Sequence, residues 1–206
     1  MRFIAHIIIA AAALSLMPAG VYAQSPVANV DPEAAQAGQY KVETSHTRTQ
    51  FTVSHMGFSD WYGDFTGTTG TLSLDPRAIG SAKVDITIPV ASVSTTNAKL
   101  DGELKSADWL DADKFPTIHF VSTEVVRTGA RTAMIKGNLT FHGVTRPATL
   151  QASFNAGGVN PLSKGYTLGF NATTEINRSD YGVKTYVPLI GDTVAIRISA
   201  AFEKTN

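Results

Sequence analysis

Ala133-Met134-Ile135-Lys136-Gly137-Asn138-Leu139-Thr140-Phe141-His142, followed after Gly143 by a second run, Ala148-Thr149-Leu150-Gln151-Ala152-Ser153-Phe154-Asn155, decides the fold. In residues 133–142, Ala133, Ile135, Gly137, Leu139 and Phe141 alternate with Met134, Lys136, Asn138, Thr140 and His142. In residues 148–155, Ala148, Leu150, Ala152 and Phe154 alternate with Thr149, Gln151, Ser153 and Asn155. A period of two puts each set on one face of an extended strand, one face wet and the other buried. His142-Gly143 between the runs carries turn chemistry.

The same alternation continues in both directions. Ala82, Val84, Ile86 and Ile88 oppose Lys83, Asp85 and Thr87 in 81–89. Tyr166, Leu168, Phe170 and Ala172 oppose Thr167, Asn171, Thr173 and Glu175 in 166–175, and Val194, Ile196, Ile198, Ala200 and Phe202 oppose Arg197, Ser199 and Glu203 in 194–203. Weaker strands are expected at 40–43, 48–56, 62–75 and 117–126. Asp75-Pro76 with Gly80, Thr128-Gly129 and Gly157-Gly158-Val159-Asn160-Pro161 supply further turns. Only 97–112 breaks the pattern: Leu100, Leu104 and Ala107 recur at helical spacing, Lys99/Glu103 and Asp101/Lys105 are opposite charges four apart, and Ser94 or Thr95 can cap. Pro116 ends this segment.

The expected architecture is all-β: of a sandwich and a barrel, the pattern favours a closed antiparallel barrel of about eight strands with one short helical insertion. Long strands joined as a meander favour closure, which also removes sheet edges. An eight-stranded barrel is wide enough to be filled by side chains or to hold one small ligand. Ala82, Gly137, Ala148, Ala152, Ala172 and Ala200 on the apolar face tilt it towards an open lumen, although ordinary large/small alternation in a filled core gives the same pattern. In a soluble barrel the apolar faces point inward. Val53, Val84, Ile86, Leu139, Phe141, Leu150, Phe170, Ile196 and Ile198 are then expected to line the lumen, with Ala148 and Ala152 giving it width. A small outer-membrane barrel would have the reverse arrangement, with lipid outside. The helical insertion and the small residues on the apolar face argue against it.

Export is read from the N-terminus. Arg2, an apolar run from Ile4 to Leu16 interrupted by His6 and Ser15, then Pro18, Gly20 and Val21-Tyr22-Ala23 form the three parts of a signal peptide, with cleavage expected after Ala23. The run is shorter than the roughly 20 residues of a spanning helix. A location outside the cytoplasm is expected. Residues 24–38, small, polar and proline-containing, are expected to be a flexible leader, and 39–206 the domain. Lys+Arg and Asp+Glu are both 17, so there is no electrostatic footprint for nucleic acid. With no cysteine, thiol catalysis and thiolate metal sites are excluded.

No catalytic pattern emerges. His46, His55, His119 and His142 lie in no metal-binding spacing. Asp108, Asp111 and Asp113 lack the central glycine and closing acid of a calcium loop. A lipid-ester hydrolase would want a Gly-x-Ser-x-Gly elbow, and none occurs. Gly63, Gly67 and Gly70 around Phe65 read as bends or bulges. Arg178, in Asn177-Arg178-Ser179-Asp180-Tyr181-Gly182, is expected either to hold a ligand's polar head or to fix a turn by bonding loop carbonyls.

Six segments in order resemble the YceI-like family of periplasmic, lipocalin-like polyisoprenoid-binding proteins. They are Ser45-His46-Thr47 with Phe51-Thr52-Val53-Ser54-His55; Gly63-Asp64-Phe65; Leu100-Asp101-Gly102-Glu103-Leu104 continuing to Asp111; Phe115-Pro116-Thr117-Ile118-His119-Phe120; Gly137 to Thr145; and Ile176 to Gly182. The resemblance spans Tyr40 to Glu203. The helical signature usually reads Arg-Asp-x-His-Leu; here Leu100 and Glu103 replace the two basic residues. The resemblance implies a barrel whose lumen holds a polyisoprenoid or quinone-type lipid, with no enzymatic activity and no other cofactor. His55, Asp101 and Arg178 are the head-group candidates within these segments. The expected partners are that apolar lipid and, transiently, a membrane or membrane protein.

Overall fold

The computed structural model describes residues 27–205. The expected signal peptide, 1–23, and the first residues of the expected leader lie outside them. Among the described residues ten strands run in chain order: β1 Gly38–Val42, β2 Arg48–His55, β3 Ser59–Phe65, β4 Thr69–Leu74, β5 Lys83–Pro89, β6 Thr117–Arg127, β7 Thr132–Phe141, β8 Val144–Val159, β9 Tyr166–Asn177 and β10 Ile190–Lys204. The one α-helix among them, α1, spans Ala98–Lys105.

All pairings are antiparallel, and they close into a ring of eight strand positions. β10 is flanked on one side by β9 and on the other by β2 over Arg48 to His55, then by β1 over Tyr40 to Val42. β1 and β2 therefore form one interrupted position. β3 and β4 form the next, since β2 pairs with β3 and β1 with β4. From β4 through β10 each strand pairs with its successor in the chain. The first strand thus meets the last, through Tyr40↔Lys204, Lys41↔Glu203 and Val42↔Phe202.

The interruptions explain a difference from the expected single strand over 62–75. Gly67 adopts a left-handed φ of 68°, open to glycine at no steric cost, and divides β3 from β4. Beside it the chain makes a helical turn at Thr44–His46, capped by the Glu43 carboxylate, which accepts from the Ser45 and His46 N–H groups. The Thr44 hydroxyl donates to the Thr68 carbonyl at 2.9 Å and ties the two breaks together. Two paired positions that bend must bend at the same level.

The helix is shorter than 97–112. Asn97 is its N-cap, accepting from Lys99 and Leu100 N–H. Ser94 and Thr95 are used elsewhere: Ser94 exchanges both backbone hydrogen bonds with Asp64, and Thr95 binds Asp101. At Ser106 the chain leaves the helix and continues in turns.

The expected leader differs most. Within the described residues, 27–38 is packed on the barrel. Asn29 and Gly157 exchange two backbone hydrogen bonds of 2.8 Å. Ala35 is buried in the core. A Cβ at Gly158 would stand 1.9 Å from the Val27 carbonyl oxygen, so the glycines read as a turn instead receive this segment. β8 runs straight through them, and the turn falls at 160–165.

Charged and polar faces point to solvent, with Lys83, Asp85, Lys136, Asn138, Gln151 and Arg197 all exposed. Two apolar clusters lie inside. One gathers Tyr40, Leu72, Leu74, Val125, Phe154, Leu168 and Phe202 at the end closed by β1. The other gathers Phe65, Val90, Val93, Leu110, Phe141, Tyr181 and Val183 at the end covered by the segments around α1 and 178–183.

Candidate ligand cavity

Between the two clusters the barrel is hollow. A cavity of about 260 Å³ runs along its interior, and Val53, Val84, Ile86, Leu139, Phe141, Ala148, Leu150, Ala152, Phe170, Ile196 and Ile198 all line it. These are the inward residues of the alternating strands, brought together because every strand position contributes one face to a closed ring. Its lining side chains are aliphatic or aromatic except Thr47, Thr49, Thr68, Thr174 and Arg178. Thr47 donates its hydroxyl to the Glu43 carbonyl at 2.8 Å. The buried Thr68 hydroxyl has no hydrogen-bond partner among the described residues.

Two glycines help keep the lumen open. Phe51 of β2 faces Gly63 of β3, and a Cβ there would lie 2.2 Å from the ring. Phe120 of β6 leans against Gly137 of β7, where a Cβ would lie 2.5 Å from its ring. Each aromatic side chain lies back along the wall over a residue without a side chain, so it lines the cavity without filling it. Gly63 is therefore a ring seat rather than the bend expected from its spacing.

Residues outside the strands complete the lining. Leu104, Trp109, Leu110 and Val183 come from α1 and the segments that cross the barrel end. Periodicity in the strands carries no signal for them; their aromatic and leucine character was legible, their placement was not.

Arg178 is buried and lines the cavity. Its Nε donates to the Gly191 carbonyl at 2.9 Å, Nη1 to Val183 at 3.1 Å and Nη2 to Ile190 at 2.9 Å. The guanidinium also stands 5.4 Å from the Trp109 ring centroid. Burial lowers its pKa from the usual arginine value, partly opposed by the Asp192 carboxylate. Its bonds fix the turn, as one of the two readings offered for this residue has it: three of five donors hold the carbonyls of Val183 and of Ile190 and Gly191 at the start of β10. Asp192 in turn accepts from the Ser179 N–H and hydroxyl at 2.8 and 2.7 Å, which lowers its pKa.

The other two head-group candidates do not reach the cavity. His55 is exposed at the end of β2, opposite Ser59. Strand alternation directs it to the inner side, but it stands exposed at the end of the wall, paired with Ile190 and Ser59, and is not part of the cavity lining. Asp101 on α1 accepts from the Thr95 N–H and hydroxyl at 2.6 and 2.7 Å, bonds that lower its pKa. It fixes the approach to the helix. Leu100 and Glu103 are likewise absent from the lining. The remaining histidines are separate: His46 contacts Glu43, His119 contacts Asp85, and His142 faces the Tyr181 carbonyl and the Phe115 ring.

Residues 40–202 match the YceI-like domain. UPF0312 proteins of Pseudomonas savastanoi pv. phaseolicola and of Pseudomonas putida are each 40% identical over 152 residues, covering 73% of this chain and 79% of theirs. Three solved structures share the fold. BcnA of Burkholderia cenocepacia superposes with a TM-score of 0.71 at 22% identity, over 78% of this chain and 98% of that one. The YceI protein of Campylobacter jejuni gives 0.67 at 24%, over 74% and 90%. A polyisoprenoid-binding domain from Saccharophagus degradans gives 0.61 at 13%, over 82% and 100%. With its closed meander and hollow apolar interior, this chain belongs to the YceI-like domain family.

Proposed function

We propose that the protein binds a long-chain apolar lipid in the barrel, a polyisoprenoid, an isoprenoid quinone or a similar amphiphile, and stores or carries it unchanged. The observation that carries this reading is the continuous apolar lining of the internal cavity. Burying a lipid chain gains roughly 0.8 kcal/mol per methylene, most of it offset because the free lipid would otherwise sit in a membrane or micelle. Affinity then depends on lumen volume more than on any single polar contact. The polyisoprenoid-binding neighbour supports the choice of ligand class.

The protein works in the periplasm, released there by cleavage after Ala23, and takes up its lipid at the barrel end opposite the closed cluster. That end carries exposed apolar side chains on two neighbouring loops: Met56 and Phe58 in the β2–β3 turn, Tyr186 and Leu189 in the segment before β10. The Met56 N–H donates to the Leu189 carbonyl, which joins the loops, and Tyr186 packs against Trp109 of the cavity lining. Such a rim suits transient contact with a lipid surface.

Native mass spectrometry of protein recovered from outside the cytoplasm tests the reading. The expected species begins at Gln24 and carries an apolar adduct. Turnover of a lipid ester would replace carriage by hydrolysis, and a bare protein that takes up no lipid would refute both.

A further inference from the structure

A second, smaller cavity of about 90 Å³ lies deeper in the barrel, beneath the first. Leu72, Val84, Ile135, Ala152 and Phe170 line both, so only side chains separate them. The inward residues of β9 give the order of depth: Leu168 belongs to the closed core, Phe170 stands at the partition, and Ala172, Thr174 and Ile176 lead up the larger cavity towards Arg178 just beyond the strand. At about 3.4 Å per residue, Phe170 and Ile176 are roughly 20 Å apart along the strand. A chain entering past Trp109 would meet the Phe170 ring end on.

The lower cavity is built to stay open. Ala35, Ala82, Ala133 and Ala152 line it where larger side chains would fill it, although cores normally leave few such voids. Its outer wall is the packed leader, through Pro32 and Ala35. The Arg131 guanidinium beside it is committed to the Phe154 and Asn155 carbonyls, and Arg127 stands 3.7 Å from Glu33. No free charge therefore faces the void from these two arginines. Phe170 meets Phe154 and Phe202 edge to face, with centroids at 5.5 and 6.0 Å, and has empty space above and below. A change of its rotamer moves the ring from the partition without displacing backbone.

We propose that the lower cavity is a subsite for the tail of an apolar chain, reached by displacing the Phe170 ring, and that Phe170 sets the chain length at which it becomes occupied. This rests on the barrel interior being the lipid site. The ligand class is a linear hydrocarbon or prenyl chain, because the lower lining is apolar apart from Thr132 and the two arginines, Arg131 bonded to carbonyls and Arg127 beside Glu33.

The test uses the mature chain and a ladder of linear prenyl alcohols competing with a fluorescent apolar probe. Wild-type affinity is expected to rise with length by at most about fourfold per buried methylene, pause where the chain meets Phe170, then rise again. Ala133→Phe fills only the lower cavity. It should abolish the second rise while leaving short chains within about twofold of wild type, as for groups that do not touch. Ala82→Leu, a smaller change to the same void, should do so in part if Ala133→Phe folds poorly. Phe170→Ala should remove the pause. Folded Ala133→Phe and Ala82→Leu proteins with the wild-type length profile would overturn the subsite alone. A wild-type protein that binds no prenyl alcohol of any length would overturn the lipid reading with it.

Discussion

The ring of Phe51 lies over the α-carbon of Gly63, its cross-strand partner, so closely that a Cβ on Gly63 would stand 2.2 Å from Cζ of the ring. Both residues belong to the inward face, and Phe51 lines the cavity. Gly63→Ala must push the ring into the lumen or the strands apart. We expect a loss of about 1–3 kcal/mol in urea unfolding, the usual cost of overpacking, together with reduced lipid capacity. A variant with wild-type stability and loading would show that the ring has another place to go.

Ala148 faces the cavity and Lys83 faces water. Ala148→Trp and Ala152→Trp should fill the lumen and block lipid loading, at a stability cost of about 1–3 kcal/mol. Lys83→Ala and Gln151→Ala should leave loading unchanged. Adduct occupancy by native mass spectrometry reads all four; a folded Ala152→Trp protein with its full lipid complement would place the ligand elsewhere.

Arg178→Ala strips partners from the Gly191, Ile190 and Val183 carbonyls at once. Hydrogen bonds to charged groups are worth about 1.5–3 kcal/mol each and do not add fully, so a loss of about 3 kcal/mol or more is expected. Arg178→Lys should recover little, because an ammonium cannot span three divergent carbonyls. Chemical denaturation measures both. An unchanged midpoint for Arg178→Ala would remove the structural role.

Tyr40 is fully buried and donates its hydroxyl to the Gln36 carbonyl. Burial first, then the nearby Tyr166, push its pKa up from 10.0 to about 12. In the unfolded chain the phenol ionises at the lower value. Its contribution to stability is therefore complete below pH 10 and is lost as pH rises towards 12, up to about 2–3 kcal/mol in all. Tyr40→Phe should flatten that part of the stability–pH curve. Equal slopes for both proteins between pH 10 and 12 would contradict the assignment.

Phe58 is 88% exposed at the tip of the β2–β3 turn. Phe58→Ser should leave stability within about 0.5 kcal/mol. If the rim meets a lipid surface, the same change should slow lipid uptake from vesicles by roughly tenfold, the equivalent of about 1.5 kcal/mol of lost burial. Uptake at the wild-type rate would remove the rim from the pathway.

Alternation in the sequence by itself determined the strands and their inner faces. Val84, Leu139, Leu150 and Ile196 point inward because a strand's side chains alternate whatever lies across from it. Once the sheet closes, there is one inside for them to share. The small residues at Ala148 and Ala152 were likewise legible as lumen width. The tertiary structure alone decided matters that depend on pairing across the chain. Gly63 and Gly137 became seats for Phe51 and Phe120 through register, which alternation does not specify. Arg178 became a clamp because the Ile190 and Gly191 carbonyls, more than ten residues away, arrive within 2.9 Å of it. Asp101 was taken by Thr95, and His55 was left exposed at the end of β2. The polar segment read as a free leader was ordered by Gly157 and Gly158, whose missing side chains let another backbone approach. Local pattern sets which way a side chain points; only closure of the ring sets what it meets.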